Sequence, residues 1–400
     1  MNSSRAPVAS FLVMPVFSAS SAATLDSGTV GTVVLVAIVE GSLTFFKFHQ
    51  RLPDAPGQRW RAQGYPRIVL PQARNTRKMS ISVAFSAIWA AIHRQQRVPR
   101  VPTPELKPTF STAVNTWQCD ENDHLNVQFY TEFGHEASAH LLASLGLGPR
   151  AQRAAGLVVT AADDHVRYLR EFRVVDAVEV RSAPVEVGER HLVAYHEIRN
   201  PAESGVAATV RRRIVCDRPW PDAFRLSAEA AKMALPEAAK PRSVGTLALP
   251  DLTLDAAPAT GLIEVGRTVI TPDECDEHGC FLPRHQFGRY SDGAPMLWNH
   301  LGFDRAAMQE RQEGSVVVEM LNHYRRPLRA GDLAVVMSGL AAFTSRVLVF
   351  THFLFEAETG TLAACAEAVG MKFDQKVRKI MPFGPEDQAR LALRKLHLAA

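Results

Sequence analysis

The densest group of reactive side chains in the 400-residue chain is Trp117-Gln-Cys-Asp120-Glu121-Asn122-Asp123-His124-Leu125-Asn126-Val127-Gln-Phe-Tyr130. It ends where a stripe at spacings of three and four begins, through Phe129, Phe133, Ala137, His140, Leu141 and Ser144, and this predicts a helix over 127–145. Gly146 and Gly148 supply the stop. Polar groups are therefore gathered at a helix N-terminus. There the first backbone N–H groups lack intrahelical partners and the macrodipole is positive, so an oxyanion or thioester carbonyl is stabilised in front of them.

Asp120, a few residues ahead of that end, can attack a polarised carbonyl or activate a water, with His124 and Asn126 orienting the reacting groups. Glu136, two and a half turns into the helix, is a candidate second carboxylate. The same residues also suit a plain helix start: Asp120, Asp123 and Asn126 are capping types, and His124 suits a turn.

The elements that would hold these groups occur twice. At a shift of 156 positions, Cys119–His196 aligns with Cys275–His352 without a gap, and 17 of 78 positions are identical. Ordinary composition gives roughly one in fifteen. Cys-Asp-Glu at 119–121 matches 275–277, and Leu145-Gly146 matches Leu301-Gly302. Tyr168, Arg170, Arg173, Asp176 and His196 match Tyr324, Arg326, Arg329, Asp332 and His352. After the helix, extended runs are predicted over 168–180, 191–198 and 206–216, separated by Gly and Asn-Pro turns. The Pro- and Ala-rich stretch 237–260 reads as a linker crossed by few contacts.

Composition narrows the class. With 46% hydrophobic and 22% charged residues the chain is globular and long enough for two or three domains. Five scattered cysteines without CxxC spacing indicate neither a disulfide framework nor a zinc site, and point to a reducing, cytoplasmic setting. No metal or cofactor is expected. Residues 1–110 carry 13 Lys/Arg against 4 Asp/Glu, but without helix-turn-helix spacing, so no nucleic-acid partner is expected. The apolar stretch 30–46 is only 17 residues long and contains Glu40 and Gly41, short for a membrane helix. Residues 1–25 resemble a leader without a clean cleavage site, and Met79 is an alternative start. One amphipathic helix is predicted over 80–95.

Asp120-x-x-x-His124-Leu-Asn126 followed by Tyr130 resembles the opening of the hotdog thioesterases of the 4-hydroxybenzoyl-CoA thioesterase group, whose pattern is Asp-x-x-Gly-His-Val-Asn-x-x-x-Tyr. His323-Tyr324-Arg-Arg-Pro327-Leu-Arg-Ala-Gly331-Asp332 is similar to that group's turn between strands, and His352 through Ala364 to its last hairpin. The resemblance implies an α+β tandem, or double, hotdog: two long helices, each wrapped by an antiparallel sheet, joined as an intrachain pseudo-dimer, with further homo-oligomers left open. The implied organisation is a basic, poorly structured extension over 1–108, a first module over 109–236, a linker over 237–262, a second module over 263–376 and a tail over 377–400.

The resemblance also implies an acyl-CoA substrate, with Asp120 as catalytic acid and the amide near Val127 polarising the carbonyl. Tyr130 lies on the substrate side. Where the group has Gly this chain has Asp123. The second copy keeps Asp276, and Asp292 in place of Glu136, but has Cys280, Leu282 and Pro283 for His124, Asn126 and Val127, and proline has no amide donor. One working site is expected. Arg325, Arg326 and Arg329, with Arg170 and Arg173, are candidates for the coenzyme A phosphates. A hydratase or dehydratase on the same fold, and a non-catalytic acyl-CoA-binding protein, are the competing readings.

Overall fold

The computed structural model describes residues 11–14, 30–39, 42–51, 105–245, 247 and 249–397. The chain divides into two compact units, Met1–Ile92 and His93–Ala400. In the first, Phe11–Met14 (β1), Val30–Val39 (β2) and Ser42–Arg51 (β3) form an antiparallel sheet in that order. The apolar stretch weighed above as a membrane helix thus supplies two strands, and no described helix is long and apolar enough to cross a membrane. The helix predicted over 80–95 lies outside the described residues.

The second unit repeats one design. Lys107–Ala113 (β4), the helix Val127–Ser144 (α1), and strands Val159–Tyr168 (β5), Ala177–Val187 (β6), His191–Arg199 (β7) and Ala208–Cys216 (β8) make the first module. Ile263–Val269 (β9), the helix Pro283–His300 (α4), Glu313–Tyr324 (β10), Leu333–Phe343 (β11), Leu348–Glu356 (β12) and Leu362–Asp374 (β13) make the second. Shorter helices flank them: Pro149–Ala155 (α2), Asp222–Ala231 (α3), Arg305–Glu310 (α5) and Pro385–Arg394 (α6). Moved by 156, the bounds of β4, α1 and β6 become those of β9, α4 and β11.

All ten strands join one antiparallel sheet in the order β4-β6-β7-β8-β5-β10-β13-β12-β11-β9, with Lys379–Met381 (β14) added beside β13. The modules meet where β5 pairs β10, and His165 lies opposite Leu321, its own repeat equivalent. The pseudo-twofold axis therefore passes through that pair. Phe129, Tyr130 and Phe133 of α1 and Phe287, Tyr290 and Trp298 of α4 belong to one buried core that also takes in both halves of the sheet. This is the double hotdog implied by the resemblance.

The strand predicted over 168–180 is broken. Between Tyr168 and Ala177 the chain turns, with Asp176 Oδ2 accepting from the Arg173 amide at 2.7 Å and Val175 at φ 68°. The preceding strand, β5, escapes a reading based on apolar runs because it carries Asp163, Asp164, His165 and Arg167. Nor is the linker free of contacts. The Arg242 and Ser243 amides each donate to the Glu319 carboxylate at 2.9 Å, the Gly245 amide donates to Glu367 at 3.0 Å, and Val244 is buried. Carboxylates buried in the sheet need those donors, so the linker is stitched to the second module.

One buried group breaks the symmetry. Arg212 on β8 makes a bidentate bond to Asp164 on β5, Nε to Oδ1 at 2.7 Å and Nη2 to Oδ2 at 2.6 Å, and the Tyr324 hydroxyl donates to Oδ2 at 2.7 Å. Their equivalents in the second module are the paired Ala368 and Met320. Removing one partner of a buried pair strands a charge, at about 3–5 kcal/mol. Arg212→Ala should therefore lower the urea midpoint steeply, whereas the double change Asp164→Met with Arg212→Ala, which copies the second module, should cost much less. Equal losses in the two proteins would refute this account of the pair.

Candidate active site

Asp120 stands on the turn before α1, closed by bonds from its amide to the His124 carbonyl at 2.8 Å and from the Asp123 amide back to its carbonyl at 3.1 Å. This turn needs a left-handed residue. Asp123 takes φ 60°, and Gly279, its equivalent, φ 73°. Asp tolerates that region better than most side chains, so the Gly-to-Asp departure leaves the turn intact. Oδ1 of Asp120 accepts from the amides of Asn122 at 2.8 Å and His124 at 3.2 Å. No partner for Oδ2 is found among the described residues, and Asp120 lines a cavity of about 750 Å³.

Asn126 is the N-cap of α1, its carbonyl oxygen accepting from the Gln128 amide at 3.2 Å and its amide nitrogen donating to Ser291 of α4 at 3.2 Å. The capping role weighed for it from sequence is thus present, and it also ties the helix start to the other module. Val127 opens the helix and lines the same cavity. Among the described residues its N–H has no partner, as expected of a first helical position. Tyr130, buried edge-on to Tyr168 at 5.1 Å, forms part of the wall, and burial pushes its phenol well above the ordinary value.

His124 faces the mouth of the cavity, its Nε2 3.0 Å from Glu171 Oε2 and 3.1 Å from Arg173 Nη2. Glu171 is also paired with Arg173 at 3.2 Å and with Arg378. Arg305 reaches Glu121 at 2.9 Å from the other module. Arg170, Arg173, Arg305 and Arg378 all line the mouth.

The far wall belongs to the second module: α4 from Tyr290 to Trp298, Val316–Val318 and Met320 of β10, Phe350 and His352 of β12, and Ala368 and Gly370 of β13. One site is therefore lined from both modules.

Several candidates fall elsewhere. Glu136 is exposed, roughly 14 Å along the helix from Val127 at 1.5 Å per residue, and does not line the cavity. Asp292, its equivalent, is likewise exposed. Arg326 and Arg329 lie off this cavity, and Arg329 is bonded instead to the His278 carbonyl at 3.0 Å. Arg325 borders a separate, smaller hollow with His323 and Tyr324. Arg170 and Arg173, already considered, do line the cavity, as do Arg305 and Arg378, which sequence reasoning missed. Glu171 was missed too, although it carries a signal: it stands where the second copy has Pro327.

The second module keeps the turn but not the side chains around it. Asp276 Oδ1 accepts from the amides of His278 and Cys280, both at 2.9 Å, just as Asp120 does. Pro283 then opens α4 without a donor, and the Arg212–Asp164 pair occupies the positions that Ala368 and Met320 leave open in the first site.

His196 and His352 also part company. His196 is buried between Ser182 at 2.6 Å and Ser138 at 3.0 Å, whereas among the described residues His352 bonds only Ser338, at 2.8 Å, and lines the cavity. Burial, helped by Arg212, lowers the His196 pKa to about 3, and burial lowers that of His352 to about 4. An unfolded histidine takes its proton near pH 6.5, so the stability from keeping both neutral is complete above that pH. It is lost as pH falls from about 6.5 toward 4, by up to about 1.4 kcal/mol per unit for each histidine. A urea midpoint unchanged between pH 7 and 4.5 would contradict this.

A family model described as the thioesterase-like superfamily matches residues 114–218 and 270–391. The chain belongs to that superfamily. The two matched segments fall one in each module. Among solved structures, a protein from Lactobacillus plantarum described as an oleoyl thioesterase superposes with a TM-score of 0.52 at 10% identity, covering 68% of this chain and 98% of its own. The 12:0-ACP thioesterase from Umbellularia californica gives 0.50 at 14% identity, covering 66% and 93%, and an acyl-ACP thioesterase from Bacteroides thetaiotaomicron gives 0.50 at 7%, covering 65% and 96%. These likenesses concern the fold. No curated protein matches the sequence. The superfamily match makes the chain a hotdog thioester hydrolase.

Proposed function

We propose that the protein hydrolyses acyl-CoA thioesters at a single site, with Asp120 as base or nucleophile and the Val127 amide as oxyanion donor. The observation that carries this reading is the presence, on one cavity, of a carboxylate oxygen and a helix-start N–H that have no partner among the described residues. Attack on the carbonyl moves charge onto its oxygen, which the amide and the helix dipole stabilise. Asp120 Oδ2 supplies either the attacking oxygen or the acceptor for a proton from water. The Asx-type bonds to Oδ1 hold the carboxylate in place before substrate arrives.

Arg170, Arg173, Arg305 and Arg378 at the mouth suit the coenzyme A phosphates, which would take over from the carboxylates that now pair with them. Exposed pairs of that kind cost little to exchange.

Incubating the protein with a panel of acyl-CoAs and a thiol reagent should show release of free coenzyme A. No thiol release across the panel would overturn the proposal. Crotonyl-CoA separates the hydratase alternative, since loss of enoyl absorbance without thiol would favour it.

A further inference from the structure

Deep in the cavity, polar groups stand where an apolar wall would serve a hydrocarbon chain. The surroundings are hydrophobic: Val316, Val317, Val318, Met320, Trp298 and Phe350. Against them, the Tyr290 hydroxyl is buried and makes no hydrogen bond with any described residue. Tyr290 stacks on His352, ring centroids 4.9 Å apart. Leaving a buried hydroxyl unpaired costs about 1–3 kcal/mol, so a position that keeps one implies a partner that arrives later.

The internal repeat supplies a second and independent sign. In the first module Ser138 covers the Nε2 of His196 at 3.0 Å. Its equivalent 156 residues on is Ala294, which lines the cavity and has no hydroxyl, so His352 Nε2 has no protein partner among the described residues. His352 remains neutral over the ordinary pH range, and its free nitrogen donates or accepts according to the tautomer. One turn away, Pro295 has no N–H for the Ser291 carbonyl, leaving that acceptor without its helical donor. Ser291 itself is bonded to Asn126 at the reacting end of the site. Tyr290, Ser291 and Ala294 thus sit within little more than a turn of α4, roughly 6 Å along its axis, beside the start of α1.

We infer that the acyl group taken by this site carries a hydroxyl or keto oxygen on the first few carbons beyond its carbonyl, bonded by Tyr290 and His352. The inference rests on the thioesterase reading proposed above and names its substrate class. Plain saturated acyl groups leave the same polar atoms unpaired, which is how a site built to bond an oxygen rejects the analogue lacking it.

The test is binding of non-hydrolysable coenzyme A thioethers to the full chain by titration calorimetry. Chains of matched length would be unsubstituted or would carry a hydroxyl or ketone at one of carbons 3 to 6. At least one oxygenated analogue should bind ten times or more tighter than its unsubstituted match. Tyr290→Phe should remove most of that preference. Ala294→Ser, which restores the cover seen in the first module, should reduce it as well while disturbing the fold least.

A wild-type preference below tenfold for every oxygenated analogue overturns the inference, because a retained water then satisfies these groups. A preference untouched by both substitutions overturns it too. Hydrolysis without oxygen preference sinks this inference alone. Absence of thiol release together with absence of binding by every analogue would sink the thioesterase reading with it.

Discussion

Asp120→Asn is expected to reduce thiol release by about 10²–10⁴-fold while leaving circular dichroism and the urea midpoint nearly unchanged. The reasoning is geometric. Oδ1 of Asp120 is held by the amides of Asn122 and His124 at 2.8 and 3.2 Å, and an asparagine carbonyl accepts the same two bonds. The turn therefore survives. What disappears is the charge on the second oxygen, which has no partner among the described residues, and an amide nitrogen there neither attacks a carbonyl nor accepts a proton. Turnover within tenfold of the parent protein would remove Asp120 from the chemistry.

Val127→Pro should lower kcat by about 10²–10³-fold, the usual loss for one oxyanion donor. Proline at the first helical position is ordinarily tolerated, because the missing N–H has no helical acceptor. The residue before it must be extended, and Asn126 already is, at φ −62° and ψ 141°. The protein itself contains the precedent: Leu282 has φ −70° and ψ 141° ahead of Pro283, and α4 runs the same 18 residues as α1. The substitution converts the first helix start into a copy of the second, deleting one hydrogen atom that matters. A large loss of stability would show that the backbone argument fails, and unchanged kcat that the carbonyl lies elsewhere.

Much of the architecture can be read in the chain because it is local or repeated. The stripe from Phe129 to Leu141, closed by Gly146, marks α1 to within a residue, and the identities at a shift of 156 mark its twin. Asp120, Asn126 and Val127 cluster within seven positions, so their meeting at a helix start follows from sequence alone.

What escaped is non-local. The cavity's far wall comes from residues more than 150 positions away, and Arg305, Arg378 and Tyr290 have no pattern that announces them. His352 is visible in the sequence as the match of His196, and only the exchange of Ser138 for Ala294 sets it apart. No apolar run marks strand β5, and its charges make sense only beside Arg212 and Glu319. Glu136 is a candidate second carboxylate from sequence, but the helix turns it to solvent.

On the proposed reading the repeat yields one functional site because three features differ together in the second module: the amide donor is lost at Pro283, the polar pair is replaced by Cys280 and Leu282, and Arg212 and Asp164 stand where the first module's cavity has Ala368 and Met320. The carboxylate does not fail, since Asp276 keeps the same turn and the same bonds as Asp120. The most direct test of the account is therefore thiol release by Asp276→Asn measured beside Asp120→Asn on the same acyl-CoA. The account predicts turnover within threefold of the parent for Asp276→Asn and near-background release for Asp120→Asn. Comparable losses in the two variants, or a loss confined to Asp276→Asn, would contradict it.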